Sequence, residues 1–323
     1  MDIDECRRLS TVSDISLGGT GFSWKSILGI LAVLGSSIVF TGLNTFSKIV
    51  FNSSNITAFE MAYLRCLTNF IANGLYAQYL RLDMLAIPKR VAGTLLYRVI
   101  FSIFGFIFGF LGLKLMTFSE YTCISYVYPM LTQVAAYLII NEKLTIYDGV
   151  SCVLNFAGVV IIAIHYEGGS NKEAESLWVF AVPLIAATFW ALGDVYQRKI
   201  KTQIHYVVSP IYICIGGCIG CSMLVLLVNS ETNTHTNYNL RIIMLIIMVG
   251  IFGALGTVLV TLAFQYEKAG RLAIFTYLSV PYSLLVDYFY FKIDLNLYNL
   301  LGASLIVFGS ATITFLRGFG FIE

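Results

Sequence analysis

The stretch FEMAYLRCLTNFIANGLYAQYL, residues 59–80, is long and apolar enough to form a membrane-spanning helix, yet it contains Arg65. If this helix begins near Ile56, Arg65 lies about nine residues in, or ~14 Å at ~1.5 Å per residue. That depth is roughly halfway through a hydrocarbon core of ~30 Å. An arginine there costs about 2.5–3.5 kcal/mol on insertion scales, so we expect its guanidinium to face protein or a water-filled cavity.

The composition of the whole chain indicates a membrane protein. Of its 323 residues 58% are hydrophobic and 12% are charged, whereas soluble proteins carry roughly 25% charged residues. With a mean hydropathy of +0.81, too much apolar surface would face water, so the expected solvent is lipid. The formal net charge of +2 neither favours nor excludes a charged partner. We expect no nucleic acid as a partner.

The hydropathy pattern predicts an all-α integral membrane protein with ten transmembrane helices, because each span needs about 20 mostly apolar residues. The candidate spans are 26–50, 56–80, 91–114, 118–140, 145–165, 177–198, 205–228, 241–265, 269–291 and 295–316. Residues 1–25 have no apolar core, which argues against a signal peptide and predicts a disordered tail. Residues 166–176 are expected to be a linker, and 317–323 a C-terminal tail.

The distribution of Lys and Arg predicts that both termini are cytosolic. With the N-terminus in the cytosol, the basic loop residues on the opposite side are Lys48, Lys114, Lys172, Arg241 and Lys292, and the cytosolic side holds many more. Two sequons, at Asn52 and Asn55, fall on the non-cytosolic side, in a loop so short that glycosylation stays open. The sequence leaves open which membrane holds the protein, plasma membrane or endomembrane, and whether it forms a homodimer.

The chain contains an internal repeat. A shift of 151 positions aligns Gly42 with Gly193, Lys48 with Lys199, ISY at 124–126 with FTY at 275–277, LTIY at 144–147 with LNLY at 295–298, and Gly158 with Gly309. Each unit holds five predicted helices, and because five is odd the copies must enter the membrane from opposite sides. The sequence therefore predicts two inverted five-helix repeats, 26–165 and 177–316, an architecture of many secondary transporters.

One family shares these motifs. The segment YVYPMLTQVAAYLIINEKLTIYDGVSCVLNFAGVVIIA, residues 126–163, has a proline-containing apolar run, Glu142, and a following helix with Gly158. With FEMAYLR in the second helix, this pattern resembles the EamA type of the drug/metabolite transporter superfamily, and it is most similar to solute-carrier family 35 members of the G type. The resemblance covers residues 26–316 and implies the fold and the transporter class, but no substrate. The second copy departs from it, because Arg65 aligns with Gly216.

Several polar residues inside the predicted spans are candidates for substrate binding. Arg65 would anchor an anionic group through its guanidinium fork, or alternatively would act as a structural clamp on helix-end carbonyls or a buried carboxylate. Asn69 follows one turn later and would line a cavity or form an interhelical hydrogen bond. Tyr126 and Tyr277 occupy equivalent places in the two repeats and would stack on a planar substrate. Pro129 would free a carbonyl or kink its helix.

Asp194 is the candidate for coupling transport to protons, because a buried carboxylate in a membrane can bind and release a proton. Arg198, four residues later, is an alternative neutralising partner for it. The run CIGGCIGC, residues 214–221, has no neighbouring His or carboxylate and is interpreted as packing rather than a metal site. No phosphate-binding loop or hydrolase motif is present, so we expect no cofactor and no enzymatic activity.

These observations predict a secondary active transporter of a small organic metabolite, anionic or strongly polar, that works by alternating access and is either proton-coupled or an exchanger. The alternative is a transport-inactive multi-pass protein that acts as a regulator or partner of other membrane components. A central cavity around Arg65 would separate the two, because a regulator needs none.

Overall fold

The computed structural model of the chain describes residues 24–84, 87–116, 118–142, 146–164, 178–232, 238–292 and 297–318. The predicted linker and nearly all of both predicted tails lie outside these residues. The described residues form twelve α-helices: α1 Trp24–Ser53, α2 Ala58–Tyr79, α3 Lys89–Leu115, α4 Phe118–Ser125, α5 Tyr128–Ile140, α6 Ile146–Ile164, α7 Trp178–Ile200, α8 Val208–Thr232, α9 Leu240–Tyr266, α10 Ala269–Thr276, α11 Ser279–Val286 and α12 Leu297–Gly318.

Two of the ten predicted spans are broken helices rather than continuous ones. The fourth span consists of α4 and α5, with a break at Tyr126 and Val127, and the ninth consists of α10 and α11, with a break at Tyr277 and Leu278. Pro129 lies in the first turn of α5. Because proline has no backbone N–H, it cannot continue the hydrogen-bond ladder of the preceding helix but fits the first turn of a new one.

The internal repeat is visible in the backbone. At the same offset of 151 residues, α3 and α9 coincide at both ends, as do α4 and α10, and the two helix breaks. The residues that follow α3 and α9, Met116 and Glu267, are both extended. Asn141 and Lys292 end the two broken spans, and both adopt a left-handed conformation with φ of 51° and 56°. The chain therefore repeats its local backbone geometry as well as its hydropathy.

The main helix contacts cross from one half of the chain to the other. Helix α1 packs most extensively on α9, α3 on α7, α2 on α8, and α6 on α12. Exchanging the two halves converts the α1–α9 contact into the α3–α7 contact and maps the other two onto themselves. The contact pattern is therefore that of two equivalent units packed around a pseudo-two-fold axis.

The outer surface of the helix bundle is suited to lipid. In the described part of the chain, four helical segments are long and apolar enough to cross a membrane, namely Lys25–Ser53, Lys89–Leu115, Val208–Leu227 and Leu240–Tyr266. Large apolar side chains such as Leu31, Leu138 and Leu226 are exposed on the surface of the bundle. Together with the buried polar groups described below, this arrangement is that of a multi-pass integral membrane protein.

Helix α2 begins with a capping box, which sets the number of residues between the helix start and Arg65. The Thr57 hydroxyl accepts from the Glu60 backbone N–H, and the Glu60 carboxylate accepts from the Thr57 N–H. Each residue thereby satisfies a donor that the first helical turn would otherwise leave unpaired. Glu60 thus serves the helix end and forms no ion pair with Arg65 in the described structure.

Candidate functional site

A cavity of about 190 Å³ lies at the centre of the bundle. Both halves of the chain contribute to it, and the described lining residues come from every helix except α6 and α12. Its charged residues are Arg65, Arg98 and Asp194. Its aromatic side chains are Phe40, Phe106, Phe110, Tyr121, Tyr126, Tyr128, Trp190 and Phe264. The cavity thus combines a small number of charges with several aromatic side chains, as small-molecule sites commonly do.

An ion pair connects two walls of the cavity. Nη1 of Arg98 on α3 lies 3.0 Å from Oδ1 of Asp194 on α7, and both side chains are 8% exposed. The Tyr128 hydroxyl at the start of α5 donates to Oδ2 of the same carboxylate. Because both carboxylate oxygens have partners, the charge of Asp194 is compensated within the protein.

Gly193 makes room for this ion pair. A Cβ atom at Gly193 would lie 2.5 Å from Nη1 of Arg98, closer than any ordinary contact. Trp190, one turn earlier on α7, is seated in the same way against Gly105 and Gly109 of α3, where added Cβ atoms would lie 2.4 and 2.5 Å from the indole ring. The glycines therefore allow α3 and α7 to approach while large polar and aromatic side chains enter the cavity between them.

Arg65 is held differently from Arg98. Its guanidinium carbon lies 4.0 Å from the centre of the Phe106 ring and 5.8 Å from that of Phe110. It is 4% exposed, and among the described residues no carboxylate lies within ion-pair distance of it. Its Nε is buried and has no hydrogen-bond partner in this part of the chain. Ring faces attract the cation but cannot neutralise it, so the described residues leave the charge of Arg65 uncompensated.

The other predicted site residues divide between the cavity and the packed core. Tyr126 and Asp194 line the cavity with Arg65, whereas Asn69 and Tyr277 are absent from its described lining. Asn69 is buried, and its side-chain oxygen accepts from Nδ2 of Asn73 one turn later. Tyr277 is fully buried, with its hydroxyl 3.7 Å from Sγ of Cys152. The repeat relates Tyr126 to Tyr277, but the structure gives the two rings different surroundings.

The predicted pairing of Asp194 with Arg198 is replaced by two separate ion pairs. Arg198 lies at the end of α7, where its Nε donates to Oε1 of Glu142 at 2.8 Å and its Nη1 donates to the carbonyl of Phe264 at 3.1 Å. The other oxygen of Glu142 accepts from the backbone N–H of Ala269 at 3.0 Å. This cluster, here called the Arg198 end, joins the ends of α5, α7 and α9 to the start of α10.

A second basic residue binds backbone carbonyls at the opposite end of the bundle. Nζ of Lys48, near the end of α1, donates to the carbonyls of Leu113 and Met116 at 2.9 and 2.6 Å. This contact is here called the Lys48 end. At the offset of 151 residues, Leu113 corresponds to Phe264, which accepts from Arg198. At each end of the bundle a cation thus binds the last carbonyls of an equivalent helix.

Of the three charged cavity residues, Arg98 is the one that was not among the candidates from the sequence. It lies within the predicted third span, in LLYRVIF, residues 95–101. The depth argument that identified Arg65 applies to it equally, because any arginine within a span requires a polar environment. The signal was therefore present in the sequence, although its pairing with Asp194 was not.

A bundle of apolar helices, several of membrane length, around a central cavity with charged residues defines the class, a multi-pass integral membrane protein. The sequence profile of the EamA-like transporter family matches the chain twice, over residues 27–164 and 176–315. The chain belongs to the EamA-like transporter family. The two matches also agree with the duplicated backbone.

Similar proteins from other organisms support the same class. Human solute carrier family 35 member G1 is 23% identical over 272 residues, covering 82% of this chain and 73% of that protein. A probable transport protein of Saccharomyces cerevisiae is 22% identical over 275 residues, which cover 79% of this chain and 78% of that protein. A protein of known crystal structure matches with a TM-score of 0.72 at 17% identity, covering 91% of this chain and 97% of that one. This last likeness concerns the fold alone.

Proposed function

We propose that this protein is a secondary active transporter that carries a small organic anion across the membrane by alternating access. The observation that carries the proposal is the position of Arg65. Its guanidinium lines a central cavity between the two halves of the chain, and no described carboxylate neutralises it. A buried cation without a counter-ion is costly in a membrane, and an anionic substrate would supply one.

The surroundings of Arg65 support a recognition role over a purely structural one. A structural clamp would direct its donors to carbonyls or carboxylates of the protein, yet its buried Nε has no partner among the described residues. The Phe106 ring, whose centre lies 4.0 Å from the guanidinium carbon, would restrict the orientation of the guanidinium. A carboxylate or phosphate group in that plane would accept two parallel hydrogen bonds, which arginine forms with particular strength.

The aromatic walls of the cavity favour a substrate with an apolar or planar body. Tyr126 and Trp190 line it together with Phe40. Aromatic faces stabilise flat groups by stacking, and a tyrosine hydroxyl adds one hydrogen bond. Asn69 and Tyr277, which are buried and lie outside the described lining, are assigned roles in packing.

The transport cycle would use the repeated architecture. Two five-helix units that enter the membrane from opposite sides can exchange conformations, so that each end of the bundle opens in turn. The Lys48 end and the Arg198 end would form the two closures, and the helix breaks next to Tyr126 and Tyr277 would act as hinges. In this arrangement both termini are cytosolic, which places the Arg198 end at the cytosolic side.

Asp194 keeps its proposed role in coupling, now through Arg98. Protonation of the carboxylate would release Arg98 from the ion pair, and an anionic substrate could compete for the same guanidinium. Proton coupling and exchange both use this cavity.

The first experiment is a ligand screen by thermal stability of the purified full-length protein, with Arg65→Gln as the test variant. A ligand at ~100 times its dissociation constant stabilises a protein by about 2.7 kcal/mol. Arg90→Gln is the matched control, because Arg90 is exposed at the start of α3. An organic anion that stabilises the wild type and the control but not Arg65→Gln supports the proposal. If the anion stabilises Arg65→Gln as much as the wild type, Arg65 does not bind it and its role is structural.

Transport itself is tested in proteoliposomes loaded with the anion found in the screen. Uptake that depends on Arg65 would separate a transporter from a transport-inactive regulator, which needs no access to the cavity. Binding without any uptake or exchange would favour the regulator.

A further inference from the structure

We propose that Asp194 sets the charge of the substrate, so that the cavity accepts organic monoanions and rejects dianions. This inference rests on the proposed function and makes it more specific. It follows from the way in which the three charged residues of the cavity are divided between a closed ion pair and a single cation.

The charges of the described cavity lining sum to one positive charge. Arg65 and Arg98 each carry one positive charge, and Asp194 carries one negative charge. The two charges of the Arg98–Asp194 pair compensate each other at 3.0 Å, and Tyr128 donates to the remaining carboxylate oxygen. Arg65 faces the rings of Phe106 and Phe110. The cavity therefore presents one uncompensated cation to a ligand.

The buried position of these groups makes the balance of charges important. Inside a membrane protein a charge interacts more strongly with its neighbours than in water, and an unbalanced charge is costly. A monoanion bound at Arg65 brings the sum of the described charges to zero. A dianion would leave one negative charge in excess and would also be repelled by Asp194, so the carboxylate discriminates against it.

Arg98 would be a second anion-binding residue if Asp194 were absent. Its buried Nε has no hydrogen-bond partner among the described residues, and its Nη1 is occupied by Asp194. A neutral residue at position 194 would therefore leave two cations in the cavity. Such a cavity fits a dianion better than a monoanion.

The test measures the binding of matched acids to the full-length protein and to three variants. The probes are pairs that share one carbon skeleton, 3-methylbenzoate with isophthalate and butyrate with succinate, and their dissociation constants are obtained from thermal-shift titrations. The variants are Asp194→Asn, Arg98→Gln and the double variant that combines them. The double variant carries the same sum of described cavity charges as the wild type, without the ion pair.

We expect the wild type to bind the monoanion of a pair at least about tenfold more tightly than the dianion. Asp194→Asn should reverse this preference, and the double variant should restore it. Restoration would show that the charge itself matters, because a merely structural role of Asp194 would not be recovered by removing Arg98 as well. Arg98→Gln leaves the described cavity lining with no net charge, so it should weaken the binding of every anion.

Two other results would count against the inference, and they are distinguishable. If dianions bind the wild type as tightly as monoanions, or if Asp194→Asn leaves the ratio unchanged, the role of Asp194 is wrong while the proposed function stands. If no acid of either charge binds the wild type, the anion site at Arg65 fails, and the inference fails with it.

Discussion

Arg98 and Asp194 come from different halves of the chain, and their side chains meet at 3.0 Å inside the cavity. Their backbones are brought together by the packing of α3 against α7, which is among the most extensive helix contacts in the protein. The ion pair therefore joins one cavity residue from each half at one of the most extensive contacts between the halves. Its removal should affect both stability and binding.

We expect Arg98→Met to destabilise the protein strongly, because it leaves the Asp194 carboxylate buried without its cation. Removing one partner of a buried ion pair typically costs about 3–5 kcal/mol, whereas replacing both by apolar residues is often close to neutral. The measurement is the free energy of unfolding in detergent for Arg98→Met and for Arg98→Met combined with Asp194→Leu. A double variant that is less stable than the single one would contradict this account.

Gly193→Ala should have an effect similar to the loss of Arg98. The added methyl group would lie 2.5 Å from Nη1 of Arg98 and would displace the guanidinium from Asp194. Gly74→Ala is the matched control, since an added Cβ at Gly74 meets nothing within 4 Å. In that helix alanine should stabilise by up to about 1 kcal/mol. Thermal unfolding of both variants checks the prediction, and equal behaviour of the two would disprove it.

The two ends of the bundle should respond separately to loss of their cations. Arg198→Met removes the donor to Glu142 and to the Phe264 carbonyl, so hydrogen exchange should accelerate at the end of α9 and the start of α10. Lys48→Met removes the donor to Leu113 and should accelerate exchange at the end of α3 instead. Hydrogen-exchange mass spectrometry resolves these segments. Acceleration of the same segment by both substitutions would rule out independent closures.

The two equivalent tyrosines should differ in their effect on binding. Tyr126 lines the cavity, so Tyr126→Phe is expected to weaken ligand binding by about 0.5–1.5 kcal/mol through loss of a hydrogen bond. Tyr277→Phe should leave ligand affinity unchanged, because its hydroxyl contacts Sγ of Cys152 and Tyr277 is absent from the described cavity lining. Titration of both variants with the same ligand measures the two affinities and shows which hydroxyl contributes to binding. A larger loss in Tyr277→Phe would mean that the ligand reaches the Tyr277 hydroxyl, which lies outside the described lining.

Thr57→Ala should destabilise the protein by about 1 kcal/mol, because it removes the side-chain cap of α2. Thr188→Ala is a suitable control, since the Thr188 hydroxyl is exposed within α7 and bonds to its own helix. Thermal unfolding measures both. Similar losses would show that the capping box contributes nothing specific.

Much of the architecture follows from one-dimensional patterns. Runs of apolar residues and a constant offset of 151 residues predict the ten spans and their duplication, since both depend on local composition alone. The depth of Arg65 in α2 predicts that its guanidinium faces protein or a cavity, and in the structure Arg65 lines the central cavity. The same argument extends to Arg98, whose partner lies in the other half of the chain.

Contacts between distant helices could not be predicted in this way. The spacing of Asp194 and Arg198 on one helix favours a local pair, but Arg198 lies at the end of α7 and binds Glu142, which follows α5. The helix breaks at Tyr126 and Tyr277 also escaped the hydropathy pattern, because two short apolar helices in line have the composition of one long helix. Such features depend on which surfaces meet in three dimensions.

The crossing of the helix contacts between the halves has a consequence for folding. The main packing partners of α1, α2, α3 and α6 all lie in the second half of the chain. Neither half can complete its buried surface alone, so the repeats are not independent folding units. Expressed as two separate polypeptides, they should be degraded or aggregate singly, yet assemble into the native bundle when they are synthesised together.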